Sequence, residues 1–189
     1  MRPIRCAAVV LALSLWAGTV QARTIEGVEF PEELNIAGHT VKLVGVGLRE
    51  RWWFNVYVMG AYQANPVKSA RHLIKSDEPK FLWIKMLRTI SGEKMRDALE
   101  EGIEKNVSEE ARAKLKDRLE QFKAQFPEEI KKGLDIGFTY LPGKGTLGRI
   151  GQQEKGPFDG KDFQEALWSV WFGKKPADKD LKKGILKKE

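Results

Sequence analysis

The eleven-residue run Trp52-Trp-Phe-Asn-Val-Tyr-Val-Met-Gly-Ala-Tyr62 carries no charge on either face, and it constrains the fold more than any other stretch. Read with a period of two, Trp52, Phe54, Val56, Val58 and Tyr62 share one face. Trp53, Asn55, Tyr57, Met59 and Ala61 share the other. A strand that is apolar on both sides must be covered on both sides, which predicts a central strand. The segment before it, Gly45-Val-Gly-Leu-Arg-Glu-Arg51, is β-prone and brings Arg49 to the strand entrance. An arginine there, with a tyrosine and an asparagine on one strand face, is a way to line a pocket.

Residues 1–22 read as an export signal rather than as part of the domain. Arg2 and Arg5 form a basic start, Cys6 to Ala17 is an apolar run of signal length, and Val20-Gln-Ala22 offers a small-residue cleavage site. The run is shorter than the roughly 20 apolar residues of a membrane span. Cleavage after Ala22 would leave residues 23–189 as one domain, with no cysteine and hence no disulfide. The expected location is periplasmic or secreted, with no integral span after cleavage. Subtracting Arg2 and Arg5 lowers the formal charge from +7 to +5. The remaining basic residues are interspersed with acids, which argues against nucleic-acid binding.

Along the chain, Arg23 to Pro31 reads as a short extended opening and Glu32 to Gly38 as a turn. Thr40 to Leu48 is predicted to pair with the aromatic strand. Pro66 suits a first helical position, giving a short helix to Lys75. Lys80 to Leu87 is another strand. Ser91 and Ser108 are helix caps, followed by the stripes Met95, Ala98, Leu99, Ile103, Val107 and Ala111, Leu115, Leu119, Phe122, Phe126. Ile136 to Ile150 reads as a hairpin around Leu141-Pro-Gly-Lys-Gly145, and Gln152 to Lys155 as a short edge strand. A last amphipathic helix has Phe163, Ala166, Leu167, Val170 and Trp171 on one face, and a basic tail helix follows Pro176. Strands, a helical block, a hairpin and a closing helix make an α+β domain.

The usual catalytic constellations are missing from this sequence. His39 and His72 have no second ligand at a metal-binding spacing, so no metal and no cofactor is expected. There is no G-x-S-x-G, and Pro142-Gly-Lys-Gly-Thr-Leu-Gly148 lacks the order of a phosphate loop and lies between strands. Two readings of Arg49 stay open. It pairs with a carboxylate such as Glu50, or it meets a carboxylate or phenolate at the mouth of an apolar cavity. Tyr57 and Tyr62 are either core side chains or hydroxyl donors beside it.

Five motifs together resemble the chalcone isomerase-like family, and specifically its exported bacterial branch. They are G-x-G-L-R (Gly45 to Arg49), V-Y-V-M-G-A-Y, the two helices after Ser91, Y-x-P-G-x-G-T (Tyr140 to Thr146), and the closing stretch Phe163 to Pro176. The resemblance implies an open-faced β-sandwich, a curved antiparallel sheet covered by a layer of helices, with a cleft between them. Plant members cyclise chalcones there, and non-catalytic members bind fatty acids. The family arginine matches Arg49. The plant catalytic threonine falls on Tyr57, the helix tyrosine near Met95 and the asparagine near Gly102. With the latter two polar groups replaced, no catalytic residue is assigned.

The expected function is therefore an exported, non-catalytic binding protein. It would hold a fatty acid or similar small amphipathic anion, with Arg49, Tyr57 and Tyr62 as ligand-binding residues. Two other readings remain: an intramolecular lyase or isomerase on an unknown substrate, and a ligand-free envelope interaction module whose cleft is filled by Trp52, Trp53 and Trp83. No protein partner is named by the sequence.

Overall fold

The computed structural model describes residues 21–187. The expected export signal lies outside the described residues, except for its last two positions. The described residues open with a hairpin, β1 (Ala22–Ile25) and β2 (Val28–Pro31), where a single extended segment was expected. Glu26 and Gly27 turn it with φ of 50° and 74°. β3 (Glu33–Ile36) then occupies part of the expected turn and pairs with β4 (His39–Arg51). β4 pairs in turn with β5 (Phe54–Gln63).

The short helix α1 (Ala70–Lys75) starts later than Pro66 because Ser69 is its cap, accepting from His72 N. β6 (Lys80–Met86) and β7 (Ile90–Ser91) lead into α2 (Gly92–Asn106) and α3 (Glu109–Lys123). Ser91 and Ser108 cap these helices as expected, through their hydroxyls to Lys94 N and Ala111 N. β8 (Glu129–Ile130), β9 (Asp135–Leu141), β10 (Gly145–Ile150) and β11 (Gln153–Phe158) follow, then α4 (Lys161–Phe172) and α5 (Lys179–Leu186). β11 runs through Gly156-Pro157 instead of stopping before it. As the outermost strand it tolerates a proline, which has no N–H to give the ladder.

Seven strands form one antiparallel sheet in the order β11-β10-β9-β6-β5-β4-β3. One face carries the main core. Met59, Ala61, Leu82, Ile84, Met86, Ile136 and Phe138 meet the buried stripes of the helices there. The other face has a smaller core of Phe30, Val41, Leu43, Val58, Tyr62 and Phe81, closed by the β1–β2 hairpin. From Tyr57 onwards the uncharged faces of β5 are thus both covered, one by helices and one by a hairpin. Trp52 and Trp53, expected in the same covered strand, instead form an exposed turn before it, because the chain reverses there from β4.

The expected alternation of β5 breaks once. Arg49 pairs with Tyr57 and Glu50 with Asn55, so Val56 is an extra residue in the ladder. Such a bulge reverses the facing of everything before it. Phe54 and Val56 consequently join Tyr57 on the helix side. Asn55, expected beside Tyr57, instead donates to Glu26 of the first hairpin at 2.8 Å.

α4 also departs from its one-faced pattern. Nine of its twelve residues are buried, from Phe163 to Phe172. It lies on the sheet and is itself covered by α1 and α2, which requires apolar residues all round. Around it, Phe122 of α3 meets Phe126, Phe138, Phe158 and Phe163 at centroid distances of 5.2–5.6 Å.

The paired glycines before Arg49 have a packing explanation. A Cβ on Gly47 would lie 2.5 Å from the carbonyl oxygen of Leu181, and one on Gly45 would collide with that of Ile185. Both glycines let the backbone of α5 rest directly on β4, where Leu181 and Ile185 become buried.

Lys80 is buried under α1, where its ammonium donates to Leu73 O, Ser76 O and Ser76 Oγ at 2.8, 2.8 and 3.0 Å. Burial lowers its pKa from 10.5 to about 8. Between those values the unfolded chain holds the extra proton, so this group makes stability rise with pH from about 8 towards 10, by at most about 3 kcal/mol. Burial raises the pKa of Tyr57, Tyr62 and Tyr140 above 10.0. There the unfolded chain loses its protons first and the trend reverses. Denaturant midpoints measured across this range should flatten below pH 10 in Lys80→Met; an unchanged profile would contradict the assignment.

Candidate functional site

Between β5 and the helices lies a cleft of about 670 Å³. This is within the roughly 300–1,000 Å³ of small-molecule sites. The bulge at Val56 turns Phe54, Val56 and Tyr57 together into it. Met95, Ala98 and Leu99 of α2 form one wall, and Val170 and Trp171 of α4 close the inner end. Arg49, Arg51, Arg88 and Lys94 stand around it, with Asp97 and Glu101 of α2.

Arg49 lies at the cleft, with its side chain 17 % exposed, but it is not a free cation. Its Nη1 donates to Ala177 O and lies 3.5 Å from Asp178 Oδ2. Asp178 is also the cap of α5, accepting from Asp180 N and Leu181 N at 2.9 Å each. The carboxylate is thus not the neighbouring Glu50; it comes from the far end of the chain. Of the five guanidinium N–H groups, those on Nε and Nη2 make no hydrogen bond among the described residues.

Tyr57 also faces the cleft, and its hydroxyl has a definite polarity. Trp171 Nε1 lies 2.8 Å from Tyr57 Oη. An indole N–H can only donate, so the tyrosine oxygen accepts and its own proton points elsewhere. Among the described residues that proton makes no hydrogen bond. Burial raises the pKa of Tyr57, partly offset by the Trp171 bond and the Arg49 charge, which keeps the phenol neutral. The cleft is thus lined by a largely buried O–H whose proton is not used within the described protein.

Tyr62 is not part of this arrangement. It is fully buried in the smaller core on the opposite sheet face, 6.0 Å from Phe81, and its hydroxyl has no partner among the described residues. The structure brings Arg49 and Tyr57 together and leaves Tyr62 out. Period-two spacing already separates positions 57 and 62, so this was readable from the sequence. Trp171 was expected only as an apolar face of the last helix; its orienting role had no local sequence signal.

The tryptophans that would fill the cleft in the ligand-free reading do not do so. Trp83 packs against Phe30 on the far face, with its Nε1 2.8 Å from Asp135 Oδ1. Trp52 stands at the rim and Trp53 points out, 78 % and 79 % exposed. Met95 lines the cleft where the family tyrosine was aligned. Gly102 sits under Val170, whose Cγ1 would lie 2.7 Å from an added Cβ, and so serves the packing of α2 on α4. Among the described residues no group of histidines, cysteines and carboxylates could hold a metal. No described helix is long and apolar enough to cross a membrane.

Residues 22–187 match the family model described as chalcone isomerase-like. The chain belongs to the chalcone isomerase-like family. Among solved structures it is similar to a fatty-acid binding protein of Arabidopsis thaliana, with a TM-score of 0.66 and 16 % identity. That likeness covers 88 % of this chain and 96 % of the other. It confirms the curved antiparallel sheet with its helical layer. No curated protein sequence matches the chain.

Proposed function

We propose that the protein is an exported, non-catalytic carrier of a fatty acid or a similar small amphipathic anion. The observation that carries this reading is the unaccepted Tyr57 proton, buried at the inner end of an apolar cleft beside Arg49. A carboxylate is an acceptor-only group and suits both donors at once. The acyl chain would lie along Val56, Met95, Leu99 and Val170. The similar Arabidopsis structure is of a fatty-acid binding protein, which supports the same ligand class. Proton transfer needs a second titratable group or hydroxyl near the reacting atoms. At the two positions aligned with the family's further polar groups stand Met95 and Gly102, which supply none, and this supports binding over turnover. The exported location rests on residues 1–22 alone, and N-terminal sequencing of the protein from its host should begin at Arg23.

The ligand reading is tested by extracting the purified protein and measuring bound acyl chains by mass spectrometry. Tyr57→Phe keeps the ring and removes the donor, and is expected to weaken retention by about tenfold. Parental retention in Tyr57→Phe, or a parent protein that takes up no fatty acid when it is supplied, overturns the proposal. Arg49→Ala should weaken retention further, but it also frees the start of α5, so Tyr57→Phe is the cleaner variant.

A further inference from the structure

The β4–β5 turn is built against the ordinary rules of turns. Its first residue, Trp52, has φ of 63°, a left-handed conformation suited to glycine or asparagine and costly for a bulky side chain. Trp52 and Trp53 stack edge to face at 5.9 Å and are almost wholly exposed, with Phe54 at 51 %. These three are the exposed large hydrophobic residues among those described. The protein keeps three adjacent aromatic residues at the surface, one of them in a strained conformation, and among the described residues nothing covers Trp52 or Trp53.

Their charge surroundings are specific. Exposed Arg51, Arg88 and Lys94 share the cleft rim with Trp52 and Phe54. The Arg88 guanidinium stands 4.5 Å over the Phe54 ring. The acids on that rim are Asp97 and Glu101, and Glu101 is already paired with Lys105. Glu50, between Arg49 and Arg51, does not line the cleft. Indole rings have an apolar body and a polar edge and settle at bilayer interfaces, and neighbouring Lys and Arg are drawn to anionic headgroups.

We infer that the Trp52-Trp53-Phe54 tip is a membrane-docking element that seats the protein on an anionic lipid surface. The occupant is a bilayer because the exposed rings lie at a hairpin turn inside a collar of Arg51, Arg88 and Lys94, which matches anionic headgroups in charge. Trp52 and Phe54 belong to both the tip and the cleft, so docking would turn the cleft mouth towards the lipid. That last step alone rests on the acyl-ligand reading.

The test uses residues 21–189, which contain every described element and omit the apolar run at Cys6 to Ala17 that would itself enter a bilayer. Binding is measured by co-sedimentation with phosphatidylethanolamine vesicles containing about one-third phosphatidylglycerol. The parent is expected to bind, and less tightly as salt rises. Trp52→Asn with Trp53→Ser suits the left-handed turn, should keep the parental Tm, and is expected to lose at least about tenfold in binding. Arg51→Glu with Arg88→Glu gives a second variant, expected to lose about fivefold per charge site or more. Tyr57→Phe is expected to dock like the parent, so failure of docking and failure of the ligand reading are separately visible. A parent that ignores these vesicles overturns the inference, as does undiminished binding by both double variants. Capture of a protein through the tip without vesicle affinity also overturns it.

Discussion

Gly45→Ala is expected to lower stability by about 3 kcal/mol and to strip α5 from the sheet. The added methyl has no side chain to push aside, because the atom in its way is the Ile185 carbonyl. Gly45 is not at a positive φ, so the backbone itself would accept alanine and the objection is one of space alone. The helix must lift, exposing Leu181 and Ile185, which are 1 % and 0 % exposed. Hydrogen exchange should show protection lost over Lys179–Leu186, with a matching fall in the denaturant midpoint. Parental exchange over that helix would mean that the contact does not constrain it. Gly47→Ala should behave alike, since its methyl would meet Leu181 O one turn earlier.

Trp171→Ala should cost about 3–5 kcal/mol, in the usual range for a buried aromatic truncated to alanine. The ring is 2 % exposed and packs 6.0 Å from Phe138. Its removal would also extend the cleft inwards and leave Tyr57 without the N–H that orients it. Trp171→Phe separates the two effects. It retains most of the packing and is expected to cost about 1 kcal/mol through the lost hydrogen bond. Urea unfolding gives the stabilities, and acyl retention shows whether the tyrosine still presents its proton. Equal losses for both variants would show that the indole N–H, not the ring volume, dominates.

What the sequence disclosed and what it concealed follow from range. The serine caps, most of the helix stripes and the strand from Tyr57 to Tyr62 are local patterns, each decided by residues within a few positions of one another, and they are where the periodicities put them. Trp52 and Trp53, expected inside that strand, form its exposed entry turn instead. The chalcone isomerase-like architecture follows from motifs that keep their order along the chain. The bulge at Val56 was hidden because one extra residue leaves no compositional trace, yet it decides that Asn55 leaves the cleft and Phe54 enters it. The partner of Arg49 was hidden for a different reason. Asp178 is 129 positions away, and only the seating of α5 on two glycines brings it close. The first hairpin and β3 were missed because short strands with exposed faces carry too little apolar alternation to stand out.

Under the proposed function Arg49 would hold both the start of α5 and the ligand, and Tyr57 would present a proton whose direction is set by Trp171. Of the three residues first associated with the ligand, Tyr62 belongs elsewhere for the plainest of reasons, its parity along the strand.

The backbone of β5 is a partition one residue thick, with unrelated tasks on its two surfaces. Positions 57 and 62 are about 16 Å apart along it and point in opposite directions. Energetic changes at the two should add to within about 0.5 kcal/mol in the double variant. The hairpin-covered side can thus be rebuilt for solubility or heat resistance while the chamber across the sheet keeps its shape, much as one side of a wall can be refaced without entering the room behind it.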